Sequence, residues 1–147
     1  MCFSPTASFT AAGVLGVMGV ATLAQTKTKA EITLASFPLI FGIQQFVEGL
    51  IWMSLLGSGI YTLPLSYIYT FFAFLWWPIF APLAAYLMEP IVLRRKLIFL
   101  LSLGGLVCGI TQYGLFLSHQ TAAQIINQCI YYRVDTPWPN FFVMLYA

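Results

Sequence analysis

Charge is scarce in this sequence. Asp, Glu, Lys and Arg together make up 7% of it, against about 25% in ordinary globular domains. Apolar residues make up 61%, where roughly 45–50% is usual. A chain with so few charges cannot solvate a protein surface in water, so the solvent it is built for is lipid. Histidine occurs once, as His119, and the three cysteines, Cys2, Cys108 and Cys129, are far apart. That leaves no recognisable metal-ligand spacing; His119 is the one residue from which a metal site could start. No cofactor is implied. A serine or cysteine nucleophile has no clear base, although Cys2 and Ser4 could approach His119. No glycine-rich phosphate loop is present, and Gly104-Gly105 lies in an apolar run where it reads as helix packing. A net charge of +2 without a basic, aromatic-interleaved stripe excludes nucleic acid as a partner. No basic segment precedes the first apolar run, since Lys27 and Lys29 follow it, so the start is not a secretory signal peptide.

What is present is a succession of apolar runs. Ser4-Pro5 suits a helix start, and the first run covers about 8–25, with Gly13, Gly16 and Gly19 allowing a close neighbour. The second covers about 32–56, with Pro38 expected to kink it near Leu34. Gly57-Ser58-Gly59 then turns the chain. The third, about 63–88, is aromatic and contains Pro78 and Pro82, so a bend or local unwinding is expected. Trp76 and Trp77 in its middle either pack against the bundle or line a cavity. The fourth covers about 97–118. A polar connection over 119–137 has room for a short surface helix. Residues 138–147 open a further run that is too short to span. Either it is an interfacial stub or the natural chain is longer, and the second is the expectation. The fold class predicted is therefore all-α: a polytopic transmembrane bundle of four spans and part of a fifth.

The middle of the second span carries the chemistry. Gln44, Gln45, Glu48 and Trp52 share one helical face by their spacings of three and four. An ionisable group at membrane depth is costly and normally faces protein or water with a partner. Basic residues set sidedness: Lys27 and Lys29 lie in the first loop, and Arg94, Arg95 and Lys96 in the third. Both loops are then cytoplasmic and the N-terminus lies outside. At ~1.5 Å rise per residue, Glu48 sits about 12 Å, and Gln112 about 9 Å, inside the outer ends of their helices. Glu48, Gln44, Gln45, Trp52, Gln112 and Tyr67 are the candidate ligand-binding residues, converging in the outer half with Thr111, Tyr69 and His119 nearby. Cys2 and Cys129 share the outer side, where an oxidising compartment would permit a disulfide; two unrelated thiols are the alternative. Intact mass with and without reductant distinguishes the two.

Met1-Cys2-Phe3-Ser4 with Ala7-Ser8-Phe9, then Phe37-Pro38-Leu39 and the run Phe41-Gly42-Ile43-Gln44-Gln45-Phe46-Val47-Glu48-Gly49-Leu50-Ile51-Trp52, resembles an uncharacterised family of bacterial multi-pass membrane proteins common in cyanobacteria. Trp77-Pro78 and the stretch 131–135 are similar to its later segments. The resemblance implies a fold, an inner or thylakoid membrane and a longer chain, and no activity. The leading expectation is non-enzymatic: binding or translocation of a small ligand, ion or proton in an outer pocket around Glu48. The alternative is a structural or accessory subunit of a larger membrane complex or homo-oligomer, with Glu48 fixing helix register. A second alternative is a metal-dependent intramembrane hydrolase whose remaining catalytic residues lie beyond Ala147. The ceramidase and receptor-like types are similar in being aromatic and multi-pass, but need several histidines with a serine and an aspartate. Membrane lipid is the one partner all three readings share.

Overall fold

The structure, a computed structural model, describes residues 4–119 and 123–132. Cys2, Asp135 and the expected further span at 138–147 lie outside the described residues. Among the described residues, four helical stretches are long and apolar enough to cross a membrane: Pro5–Ala24, Lys29–Leu56, Thr62–Met88 and Val92–Ser118. The predicted four-helix succession is present, with boundaries shifted by a few residues.

Local chemistry explains most of the helix ends. Helix α1 (Pro5–Ala24) begins at Ser4, whose Oγ accepts the Ala7 N–H at 3.2 Å, with Pro5 in the first turn. Helix α2 (Lys29–Ala35) has Thr28 as its cap. Thr28 Oγ1 accepts the Glu31 N–H at 3.3 Å, and Glu31 Oε2 reaches back to the Lys27 N–H at 2.8 Å. Two of the amides left over at a helix start are thereby satisfied. Helix α3 (Phe37–Leu56) continues the same span after an interruption at Ser36. Pro38 cannot donate to the Leu34 carbonyl, and the chain answers with a break at Ser36 rather than the kink expected near Leu34. Gly57-Ser58-Gly59 makes the turn, with Gly59 at φ +72, a conformation glycine adopts without steric cost.

The third span is α4 (Thr62–Thr70), a π-helical segment (Phe71–Trp76) and α5 (Trp77–Met88). The widened turn is confirmed by the Trp77 N–H, which bonds the Phe72 carbonyl five residues back. Its position follows from Pro78, whose ring would collide with the Phe74 carbonyl in a regular helix. The expected local unwinding is therefore a π turn. Helix α6 (Val92–His119) crosses this irregular stretch through Gly105 and Gly109. A Cβ on Gly109 would stand 2.7 Å from the Phe74 oxygen, and one on Gly105 would collide with the Pro78 oxygen. Those are the two carbonyls that lose their ordinary i+4 donors to Pro78 and Pro82. The glycines, four residues apart, let α6 come close enough for Cα–H groups to face them.

On the other side α1 packs on α3. Gly19 meets Leu39, Gly42 meets Ala12 and Gly16, and Gly49 meets the Phe9 ring. Gly13 touches nothing within 4 Å, so the glycine ladder of α1 is only partly an interface. Aromatic contacts join α3 to α5, with Phe41 stacked on Trp77 at 4.0 Å and Phe37 5.2 Å from Phe80.

One expectation is corrected. The connection after α6 contains no described helix but an antiparallel hairpin, β1 (Gln124–Ile126) and β2 (Cys129–Tyr131), so the fold is not purely α. Its register pairs Ile125 with Ile130 and Ile126 with Cys129 around a two-residue turn. Asn127 and Gln128 both have positive φ, 50 and 61, the geometry of a type I′ turn whose twist suits a hairpin. The hairpin covers the bundle end: Ala123 and Ile130 are buried with Trp52, Tyr69, Ile51 and Val47. Ser66 Oγ accepts the Ala123 N–H at 3.1 Å. Replacing Ser66 with alanine removes this acceptor at a cost of about 1 kcal/mol, and the Ala123 amide is expected to exchange its hydrogen several-fold faster. An unchanged rate would show that the tether contributes nothing.

Candidate functional site

Helix α3 turns its polar face inward. Glu48 is fully buried, with relative exposure of 0%, and Gln44, Gln45 and Trp52 are buried beside it. Gln45 Nε2 donates to Glu48 Oε2 at 3.0 Å, one turn away. Gln44 points to the third span. Trp77 Nε1–H donates to its Oε1 at 2.5 Å, and the Tyr69 hydroxyl lies beside the Gln44 amide. The π turn matters here, because one extra residue rotates the following side chains by about 100°. That rotation helps bring Trp77 round to face α3.

Five buried polar atoms have no hydrogen-bond partner among the described residues: Glu48 Oε1, Trp52 Nε1, Ser8 Oγ, Tyr132 Oη and, on the third span, Trp76 Nε1. Ser8, on α1, is fully buried, and the contact of its neighbour Phe9 with Gly49 sets it at the depth of Glu48. Tyr132 follows β2 and stacks on Tyr69, with ring centroids 4.8 Å apart and planes 5° from parallel. Burial pushes the Tyr132 phenol up, reinforced by Tyr69 and then by Glu48, so it remains a neutral hydroxyl. Unpaired buried polar atoms are few in native proteins, and each calls for a physical reason. Here one of them is an oxygen of the fully buried Glu48 carboxylate, with Trp52 one turn along the same helix.

Not every predicted residue joins this group. Tyr67 faces the other way: its ring packs edge-on against Phe116 at 5.7 Å, and its carbonyl accepts from Tyr113 Oη at 3.4 Å. Tyr69, two residues on, takes the position next to Gln44. Gln112 is half-buried on α6 and makes no hydrogen bond among the described residues. Thr111 is exposed and bonds its own helix at Val107. The side chain of His119 lies outside the described residues. The Cys2–Cys129 pairing involves Cys2, which lies outside them too; Cys108 is a free thiol. Among the described residues no three His, Cys, Asp or Glu side chains cluster as metal ligands.

The model of a family described as "Family of unknown function (DUF6629)" matches residues 1–147. The chain belongs to that family. No curated protein and no solved structure matches it. Membership in DUF6629 carries no reaction, so the chemistry must come from the side chains themselves. Sequence reasoning missed Ser8, Trp77 and Tyr132 as members of the site. It also missed the seam Thr62, Ser66, Thr70 on α4, which was legible as hydroxyls four residues apart. In that seam Ser54 and Thr62 hydroxyls bond at 2.9 Å, Ser66 Oγ donates to the Thr62 carbonyl and Thr70 Oγ1 to the Ser66 carbonyl. All are satisfied and tie α3, α4 and the hairpin together.

Proposed function

We propose that this is an integral membrane protein that takes up a proton or a small monovalent cation at Glu48, under the hairpin, on the non-cytoplasmic side. The basic loops lie in the cytoplasm in this reading. The observation that carries it is a fully buried carboxylate with one oxygen hydrogen-bonded and the other without a partner among the described residues. An ionised carboxylate in low dielectric costs several kcal/mol unless it is paired, and no cationic side chain of the described residues pairs with Glu48. In this reading it holds a proton or meets a cation. Ser8 and Tyr132 supply hydroxyl oxygens, and the Trp52 N–H suits a water that travels with the ion. Full burial favours an occupant of water size over an organic ligand.

The test compares wild type with Glu48→Gln, which keeps the shape and removes the charge. Infrared difference spectra across pH are expected to show a buried protonated-carboxyl band in wild type that the variant lacks. If the occupant is a cation, sodium or potassium chloride is expected to raise Tm over choline chloride, in wild type only. Saturation at 100 times Kd adds about 2.7 kcal/mol. A wild type that shows neither response overturns the proposal. The register-fixing alternative would then take over, favoured by the Gln45 hydrogen bond, with the protein serving as an accessory subunit.

A further inference from the structure

At the opposite end of the bundle a groove of about 650 Å³ is lined by Tyr86, Val92, Arg95, Lys96, Phe99 and Leu100. The Arg95 guanidinium lies 4.4 Å over the Tyr86 ring, and Phe99 packs 6.1 Å from the same ring. The cation is thus set in a fixed place by an aromatic face. Five cations, Lys27, Lys29, Arg94, Arg95 and Lys96, share this end with two carboxylates, Glu31 and Glu89. Both carboxylates are committed to backbone amides: Glu31 to the Lys27 N–H and Glu89 to the Ile91 N–H at 3.0 Å. Among the described residues Arg95 and Lys96 form no ion pair.

We infer that this groove binds the phosphodiester of an anionic phospholipid, with Arg95 and Lys96 on the phosphate and an acyl chain along Val92, Phe99 and Leu100. Charge complementarity selects an anion, and Arg95 presents a fork that matches phosphate oxygens. The apolar wall selects a lipid over free phosphate, because a soluble anion gains nothing from Phe99 and Leu100. Cationic clefts beside membrane helices on the cytoplasmic side are suited to such headgroups. This inference rests on the membrane reading above and is independent of Glu48.

The experiment titrates the purified full chain in neutral detergent with phosphatidylglycerol, phosphatidylcholine or inorganic phosphate, reading bound lipid by native mass spectrometry. Phosphatidylglycerol is expected to bind at least tenfold tighter than phosphatidylcholine. Arg95→Gln with Lys96→Gln is expected to abolish that preference, on the scale of one headgroup attraction lost per cation. Lys27→Gln with Lys29→Gln, at the same end but outside the groove, is expected to retain most of it. Phe99→Ala keeps every charge and is expected to weaken lipid several-fold; it keeps the question open to refutation should the double variant fail to fold. Equal losses from the two lysine/arginine pairs would mean diffuse attraction and overturn the site. So would inorganic phosphate displacing the lipid at equal concentration. Failure to enter vesicles of either lipid would instead remove the membrane reading itself.

Discussion

Alanine at Gly105 is expected to destabilise the protein by about 2 kcal/mol or more, within the 1–3 kcal/mol range typical of overpacking, while alanine at Gly104 is expected to be neutral or stabilising by up to about 1 kcal/mol from helix propensity. The two glycines are adjacent and chemically identical. They differ in what a methyl group would meet: nothing within 4 Å at Gly104, and the Pro78 carbonyl at Gly105. A backbone carbonyl in a helix cannot swing aside as a flexible side chain can, so α6 would have to move off the π segment. Gly109 faces the Phe74 carbonyl in the same way, and Gly109→Ala should resemble Gly105→Ala. Thermal unfolding in one detergent reads all three. If Gly104→Ala and Gly105→Ala behave alike, α6 does not cross the third span at these carbonyls.

That contrast also shows what a sequence can and cannot disclose. Pro78 and Pro82 announced an irregular third span, and Gly104-Gly105 announced packing. The pairing of each freed carbonyl with its own glycine depends on how α6 is laid across the span, and only coordinates give that. Glu48 and its amide neighbours were legible because a carboxylate in an apolar run stands out, and helical spacing put Gln44, Gln45 and Trp52 on its face. Tyr67 was chosen over Tyr69 because nothing in a run of aromatics says which ring turns inward. Gln112 was chosen by depth alone, and depth does not set the rotation of α6 about its axis. The hairpin was obscured by its turn, since Asn127-Gln128 lacks the glycine that usually marks a type I′ connection. Ile125 and Ile130 facing each other across that turn were the available signal. Ser8 looked like one hydroxyl among several near the N-terminus, and its burial follows from Phe9 seating against Gly49.

The other large effect is expected at Gln44. Its side chain accepts the indole N–H of Trp77 and lies beside the Tyr69 hydroxyl, where α3, α4 and α5 meet. Gln44→Leu fills similar space and takes the acceptor away from the half-buried Trp77 indole. Stranding a buried donor costs about 1–3 kcal/mol, and a loss of about that size is expected from the Trp77 indole alone. Trp77→Phe removes the same bond from the other side, with some packing on Phe41. The double variant is then expected to lose less than the sum, because residues sharing one bond couple by 0.5–3 kcal/mol or so. Full additivity would mean that the Trp77–Gln44 bond contributes nothing to stability. The variant also separates framework from function. Tyr69 stacks on Tyr132, so disturbing the amide beside Tyr69 should loosen the hairpin and open the carboxylate to solvent. Under the uptake proposal, Gln44→Leu should therefore still show the Glu48 carboxyl signal in the infrared, its band shifted toward that of a hydrated carboxyl. A destabilised variant whose carboxyl signal does not move would show that the Tyr69–Tyr132 stack supports the bundle without governing access to Glu48.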